Sequence, residues 1–245
     1  MTKNLPTPES PAPTISIIWL SSLPREGLCR GLDMIITPLD ALLLLRDCFW
    51  RVVKGSGSGM NQSGAPRRVA LIDRDGTIIV DKIYLRDPGG IEFTPGAIEG
   101  LRLLRDDGFA LVLITNQSGI ARGYFDAARL EQIHDRLRSM LAAQGLTLDA
   151  IYVCPHGPDE GCDCRKPAPG LVRRAMRELG FGPDEAVLIG DSDADMGAAA
   201  AAGVASVRVA GGKSAAIGAA PDFLEAARRA LDLVTRQESG RAARG

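Results

Sequence analysis

A doubly wound α/β fold, a parallel sheet with helices on both faces, is what this 245-residue sequence predicts. Three observations carry that prediction. Five short apolar runs alternate with segments of helical periodicity. The runs are apolar at consecutive positions, as strands buried on both faces are. The polar clusters follow directly after the runs, where open α/β sheets bind their ligands.

The elements follow in order. Residues 69–72 form the first run, which ends at Asp73. Pro95-Gly96 opens a helix with Ile98, Leu101 and Leu104 on one face and Gly108 as its stop. Residues 110–114 are the second run, ending at Thr115. Over residues 126–144, Leu130, Ile133, Leu137, Met140 and Leu141 recur at helical spacing, with Asp126 as N-cap and Gly145 past the end. His134 follows Ile133 and is assigned to the polar, solvated side of that helix. Residues 150–153 are the third run, leading into Cys154; residues 169–179 are helical and stopped by Gly180. Residues 186–189 are the fourth run, followed by Gly190-Asp191. An Ala-rich helix over 194–202, with Asp193 as candidate N-cap, precedes a fifth run at 204–209. A last helix is expected over 222–235, with a polar, disordered tail over 236–245. The segment between Asp75 and Pro95 is expected to form a small flap, and no insertion is long enough for a large cap domain.

These elements define one domain over residues 67–235. Residues 1–66 form an N-terminal extension, expected to be partly disordered: 1–14 are rich in Pro and Thr. Within residues 15–53, Leu39, Leu42, Leu43 and Phe49 suit one short amphipathic helix. A Gly/Ser linker at 55–59 runs directly into Met60. Two readings of the extension stand: translation naturally starting at Met60, or a targeting or partner-docking arm.

Composition limits the function classes. Hydrophobic residues are 45% and charged residues 24%, enough for a sizeable core, which with 4% aromatics rests on aliphatic side chains. A formal net charge of −1 gives no global attraction for nucleic acid or an acidic membrane, so an anionic substrate needs local cations. No apolar stretch is long enough to span a bilayer, and Pro6, Pro8, Pro11 and Pro13 make a poor signal peptide. A cytoplasmic monomer is expected, without nucleic-acid or membrane partners. The five cysteines are an odd set, and Cys154, Cys162 and Cys164 cluster beside His156. That pattern suits a metal site in a reducing compartment better than a disulfide framework.

The chemistry lies at the strand ends. In Asp73-Arg74-Asp75-Gly76-Thr77, carboxylates at i and i+2 of extended chain point the same way, and Gly76 permits a sharp turn. One carboxylate can attack phosphorus while the other carries the leaving-group proton; a solvated Asp-Gly turn is the plainer alternative. Thr115-Asn116-Gln117-Ser118-Gly119 offers a hydroxyl and turn amides to phosphate oxygens. Arg165 and Lys166 supply positive charge. The acidic run from Asp191 to Asp195 suits Mg²⁺, a hard cation that prefers oxygen. Cys154, His156, Cys162 and Cys164 make a Cys₃His set suited to a closed, structural tetrahedral Zn²⁺ site; free thiols or a labile disulfide are the alternatives.

Asp73-x-Asp75-Gly-Thr, Thr115, Lys166 and Gly190-Asp191-x-x-x-Asp195 stand in the order of the four motifs of the haloacid dehalogenase-like superfamily, which the chain resembles over about residues 67–212. More narrowly, residues 71–77, 115–123, Cys154-Pro-His156 and 162–167 resemble the D-glycero-D-manno-heptose 1,7-bisphosphate phosphatases. Histidinol-phosphate phosphatases share much of the pattern. The His156–Cys162 spacing is shorter than in many heptose phosphatases, and Ile79 and Ile83 stand where Asn and Gly are usual, whereas Asp81 and Tyr84 match.

The resemblance implies a Mg²⁺-dependent phosphomonoesterase acting on a small phosphorylated metabolite, most simply a sugar bisphosphate. Asp73 would be the nucleophile and Asp75 the acid and base. Mg²⁺ would be held by Asp73, Asp191 and the backbone carbonyl of Asp75. Thr115 and Lys166 would hold phosphoryl oxygens with Arg165 assisting, and Asp81, Tyr84, Asn116, Gln117, Ser118 and Ser192 would complete the substrate site. Histidinol phosphate is the alternative substrate. A phosphatase of nucleic-acid ends fits the charge balance poorly, and a non-catalytic, zinc-stapled binding module is the distant alternative.

Overall fold

The computed structural model describes Pro66, residues 68–210 and residues 218–242, so the expectations for residues 1–65 fall outside the described residues. Five strands form one sheet: β1 (Arg68–Ile72), β2 (Phe109–Asn116), β3 (Ala150–Cys154), β4 (Ala186–Gly190) and β5 (Ala205–Arg208). Between and after them run α1 (Ala97–Asp106), α2 (Ala127–Ala142), α3 (Gly170–Leu179), α4 (Asp193–Ala202) and α5 (Phe223–Ala242). The order β3-β2-β1-β4-β5 is parallel throughout, with Leu71 opposite Val112 on one side and Leu188 on the other. The chain winds outward from β1 through β2 to β3, then crosses back to β4. The direction of winding reverses between β1 and β4, and a crevice opens there at the carboxyl ends.

Side-chain alternation divides the core between the two faces. Ala70, Ile72, Leu111, Leu113, Val187 and Ile189 pack with Leu101 and Leu104 of α1, Ile133 and Leu137 of α2 and Phe223 of α5. Val69, Leu71, Val112, Ile114 and Leu188 face the other way, onto Leu171 and Val172 of α3 and Ala198 and Ala199 of α4. Both faces of β1, β2 and β4 are therefore dry, which is why these strands read as continuous apolar runs. Each fully buried Leu or Ile contributes about 1.5–3 kcal/mol relative to exposure.

Most boundaries agree with the sequence reading, and three points differ. The N-cap of α4 is Ser192 rather than Asp193: its hydroxyl accepts from the Asp195 amide while the Asp195 carboxylate reaches back to the Ser192 amide. This reciprocal pairing satisfies two of the helix's unpaired donors at once, which Asp193 one residue later could not do. The last helix continues past Arg236 to Ala242, through a stretch without proline, since extending a formed helix costs little. His134 is 2% exposed rather than solvated. It lies four residues after Leu130 and three before Leu137, on the inward face of α2, which also carries Leu141.

The segment after β1 folds back as the expected flap. Ile79 pairs with Phe93, and Lys82 bridges to Glu92 at 2.6 Å. Ile78, Ile79, Leu85 and Ile91 are buried in the core, so the flap is anchored along its length. Among the described residues no helix is long and apolar enough to cross a membrane.

Candidate active site

A cavity of about 400 Å³ opens at the carboxyl ends of β1, β2 and β4. It is lined by Asp73, Asp75, Asp81, Tyr84, Thr115, Asn116, Gln117, Ser118, Lys166, Asp191 and Ser192, together with Arg74, Ile83 and Leu85. All the expected substrate-site residues except Arg165 meet there. The Arg165 guanidinium instead donates to the His156 carbonyl at 3.3 Å, bracing the cysteine loop.

Asp73 extends β1, its amide donating to the Ile189 carbonyl of β4 at 2.9 Å. Lys166 Nζ lies 2.6 Å from Asp73 Oδ1, 2.5 Å from Asp195 Oδ1 and 2.9 Å from the Ile114 carbonyl. Asn116 clamps the Lys166 backbone, its Nδ2 donating to the Lys166 carbonyl at 3.0 Å and its Oδ1 accepting from the Lys166 amide at 3.1 Å. Asn116 thus lines the cavity but serves as a strut for Lys166. Arg208, the last residue of β5, donates from Nε to the Asp191 carbonyl at 3.1 Å and steadies the acidic loop.

The carboxylates of Asp73, Asp191 and Asp195 gather within 4.8 Å of one another, with one buried ammonium among them. Burial, outweighing the attraction of Lys166 and helped by the charges of Asp195 and Asp75, raises the Asp73 carboxyl to about 8. Burial, then the neighbouring Asp195, raises Asp191 as well. Such a cluster calls for a further cation, and an all-oxygen donor set suits Mg²⁺. Two glycines make room for it. Gly76 has φ +80°, and a Cβ there would collide with the Asp191 carboxylate. A Cβ on Gly190 would collide with Asp195. Asp195 is the carboxylate of this cluster that the sequence reading left out of the metal set.

Asp75 faces elsewhere. Arg74 grips its carboxylate with Nε on Oδ2 and Nη2 on Oδ1, both at 3.1 Å, and Gln117 Nε2 donates to Oδ2 at 2.9 Å. Gln117 also holds the Thr115 hydroxyl at 2.8 Å. Arg74 is 1% exposed, and its remaining Nη1 meets His134 Nε2 at 3.3 Å. Burial pushes the His134 pKa down, with the Arg74 charge adding to the effect against Glu131. Sequence reasoning missed Arg74 and His134 as members of the site. The spacing of His134 from Leu130 and Leu137 was the available signal.

Tyr84 stacks edge-on against Tyr124 with centroids 4.7 Å apart, and Arg86 lies 4.9 Å over the Tyr124 ring. Asp81 accepts from the Ile83 amide at 2.9 Å. Ile83 and Tyr84 both have left-handed backbone, φ 48° and 66°, at the cavity mouth.

Beside this cavity Cys154, His156, Cys162 and Cys164 converge. The sulfur–sulfur distances include 3.7 and 3.4 Å, and His156 Nδ1 lies 3.6 Å from Cys154 Sγ and 3.2 Å from Cys164 Sγ. A tetrahedral Zn²⁺ with ligands at about 2.3 Å sets its donors about 3.8 Å apart, close to this spacing. Burial raises the Cys154 thiol to about 11, so loading a metal would release protons.

Comparison with known proteins gives a consistent set. A family profile described as HAD-hydrolase-like matches residues 163–235. D-glycero-β-D-manno-heptose-1,7-bisphosphate 7-phosphatase from Pseudomonas putida is 42% identical over 147 residues, 60% of this chain and 84% of its own length. The enzyme of the same name from Pseudomonas aeruginosa is 43% identical over 148 residues, covering 60% and 83%. Among solved structures, D,D-heptose 1,7-bisphosphate phosphatase from B. bronchiseptica, complexed with magnesium and phosphate, superposes with a TM-score of 0.61 at 36% identity. It covers 67% of this chain and 98% of that one.

Proposed function

Since the chain belongs to the haloacid dehalogenase-like phosphatases, within the family of the D-glycero-β-D-manno-heptose-1,7-bisphosphate 7-phosphatases, we propose that it hydrolyses the 7-phosphate of that heptose bisphosphate through a phosphorylated Asp73. One observation carries the mechanism: the buried Asp73 carboxylate faces a cavity whose floor also holds Lys166, Thr115 and Asp191.

An Asp73 oxygen attacks phosphorus, the bond to the sugar oxygen breaks, and the departing alkoxide takes its proton from Asp75. Water then attacks the aspartyl phosphate and gives a proton to Asp75, so that Asp73 is restored and inorganic phosphate leaves. Lys166 and the Thr115 hydroxyl offer donors to the phosphoryl oxygens, and catalysis rests chiefly on this positioning and charge. Asp73, Asp191 and the Asp75 carbonyl would hold a Mg²⁺, which would supply charge neutralisation for the phosphoryl group. Cys154, His156, Cys162 and Cys164 would hold a structural Zn²⁺ that fixes the loop beside the cavity. The clustered thiols favour a reducing, cytoplasmic setting. The cavity suits a small sugar phosphate; Ile83 and Tyr84 line it, and Tyr124 packs edge-on against Tyr84.

The test compares Mg²⁺-dependent phosphate release from the heptose bisphosphate and from histidinol phosphate, with Asp73→Asn as blank. A preference for the heptose in kcat/KM of at least about 100-fold, or about 2.7 kcal/mol, is expected. A preference for histidinol phosphate would overturn the substrate assignment, and release undiminished in Asp73→Asn would overturn the mechanism.

A further inference from the structure

We propose that His134 and Arg74 form a buried positioning relay that holds the Asp75 carboxylate as the base for hydrolysis of the phosphorylated enzyme. The inference rests on the reading of Asp73 as nucleophile and Asp75 as proton carrier.

The geometry assigns each atom a role. Arg74 is permanently charged and only donates, so His134 Nε2, 3.3 Å from Nη1, is the acceptor. The imidazole is therefore neutral with its proton on Nδ1, the nitrogen that faces Glu131 Oε2 at 3.9 Å. The other edge of the guanidinium, Nε and Nη2, forms a fork on both Asp75 oxygens. A forked, charge-assisted pair fixes the plane of the carboxylate, and with it the direction from which an Asp75 oxygen can meet the attacking water. Gln117 adds a third donor to Oδ2 and ties Asp75 to Thr115. Arg74 and His134 are 1% and 2% exposed, so no solvent replaces either partner. Without the His134 acceptor, the Nη1 donor is left buried and unpaired. The guanidinium then turns to satisfy it and carries the Asp75 carboxylate out of line.

The two residues lie sixty positions apart, and α2 brings them together by presenting His134 on its inward face. The Arg74 side chain bonds to Asp75 and to His134, so the relay reaches the site through Asp75.

The test measures the fraction of enzyme carrying phosphate during steady turnover. The Mg²⁺-loaded full chain is given ³²P-labelled p-nitrophenyl phosphate, acid-quenched, and counted for protein-bound label. Because p-nitrophenolate leaves without a proton, the first step makes no demand on Asp75, and the labelled fraction reports the second step. In His134→Leu the fraction is expected to rise at least about threefold over the unmodified enzyme. In His134→Gln, whose side-chain oxygen can accept from Arg74, it is expected to return toward the unmodified value. Arg74→Lys, which cannot form the fork, is expected to behave as His134→Leu does, and it provides the test if His134→Leu does not fold. A merely structural role would lower label and turnover together. An unchanged or lowered labelled fraction in His134→Leu and Arg74→Lys, while Asp75→Asn accumulates label, overturns the relay. Failure of Asp75→Asn itself to accumulate label overturns the underlying assignment of Asp75.

Discussion

Lys166 Nζ lies 2.6 Å from Asp73 Oδ1, joining residues 93 positions apart at the floor of the cavity. Both side chains are at least nine-tenths buried, and the same ammonium reaches Asp195 at 2.5 Å. One positive charge thereby serves two carboxylates that the sheet would otherwise bring together unpaired.

Lys166→Met removes that charge and leaves Asp73 and Asp195 facing each other. Phosphate release is expected to fall by at least about 100-fold, because a donor to the transferring group is lost. In Mg²⁺-free buffer above about pH 8, where Asp73 is ionised, urea unfolding is expected to show a loss of about 3–5 kcal/mol, the cost of breaking a buried pair. A variant as stable as the parent would refute the pairing.

The carboxylate cluster also sets a pH dependence. Burial raises Asp73 from 3.8 to about 8 in the metal-free site. Between those values the folded state binds more protons than the unfolded state, so stability falls as pH rises through that window. Protein dialysed free of Mg²⁺ is expected to lose Tm from about pH 4 to about pH 8, with the stabilisation by added Mg²⁺ larger at about pH 8 than at about pH 6. Differential scanning calorimetry would decide it, and an equal Mg²⁺ effect at both values would count against the cluster as the binding site.

For the cysteine loop, elemental analysis of the purified protein is expected to give one zinc per chain. Cys162→Ser, which removes one of four donors, should lower zinc retention by at least about 100-fold and the Tm with it, while Mg²⁺-dependent turnover survives in part. Full zinc retention in the variant would mean that Cys162 is not a ligand.

Ile83 combines φ 48° with 66% exposure at the cavity mouth. A β-branched residue is strained there, and glycine is not. Ile83→Gly is expected to raise stability by about 0.5–1 kcal/mol in urea unfolding, after the entropy that glycine costs. It should also alter KM for the sugar phosphate, since the side chain lines the cavity. A destabilised variant would show that Ile83 packing outweighs the strain.

The local content of this protein was legible in its sequence. Consecutive apolar runs marked strands buried on both faces, and Gly108, Gly145 and Gly180 marked helix ends. The acidic, hydroxyl and basic residues at the strand ends marked the site, because a parallel sheet points all its carboxyl ends one way. Short-range chemistry was enough for these inferences: the period of a helix, the turn at a glycine, the donor types of a metal.

Only the tertiary structure decided how those residues share their partners. It turned Asn116 into a clamp on Lys166, moved Arg165 to the cysteine loop, joined Asp195 to the Lys166 ammonium that also pairs with Asp73, and drew His134 inward to Arg74. Each of these depends on which oxygen or nitrogen lies within about 3 Å once the sheet and helices have packed. A buried charge takes whatever partner that packing provides, and spacing along the chain does not specify the partner.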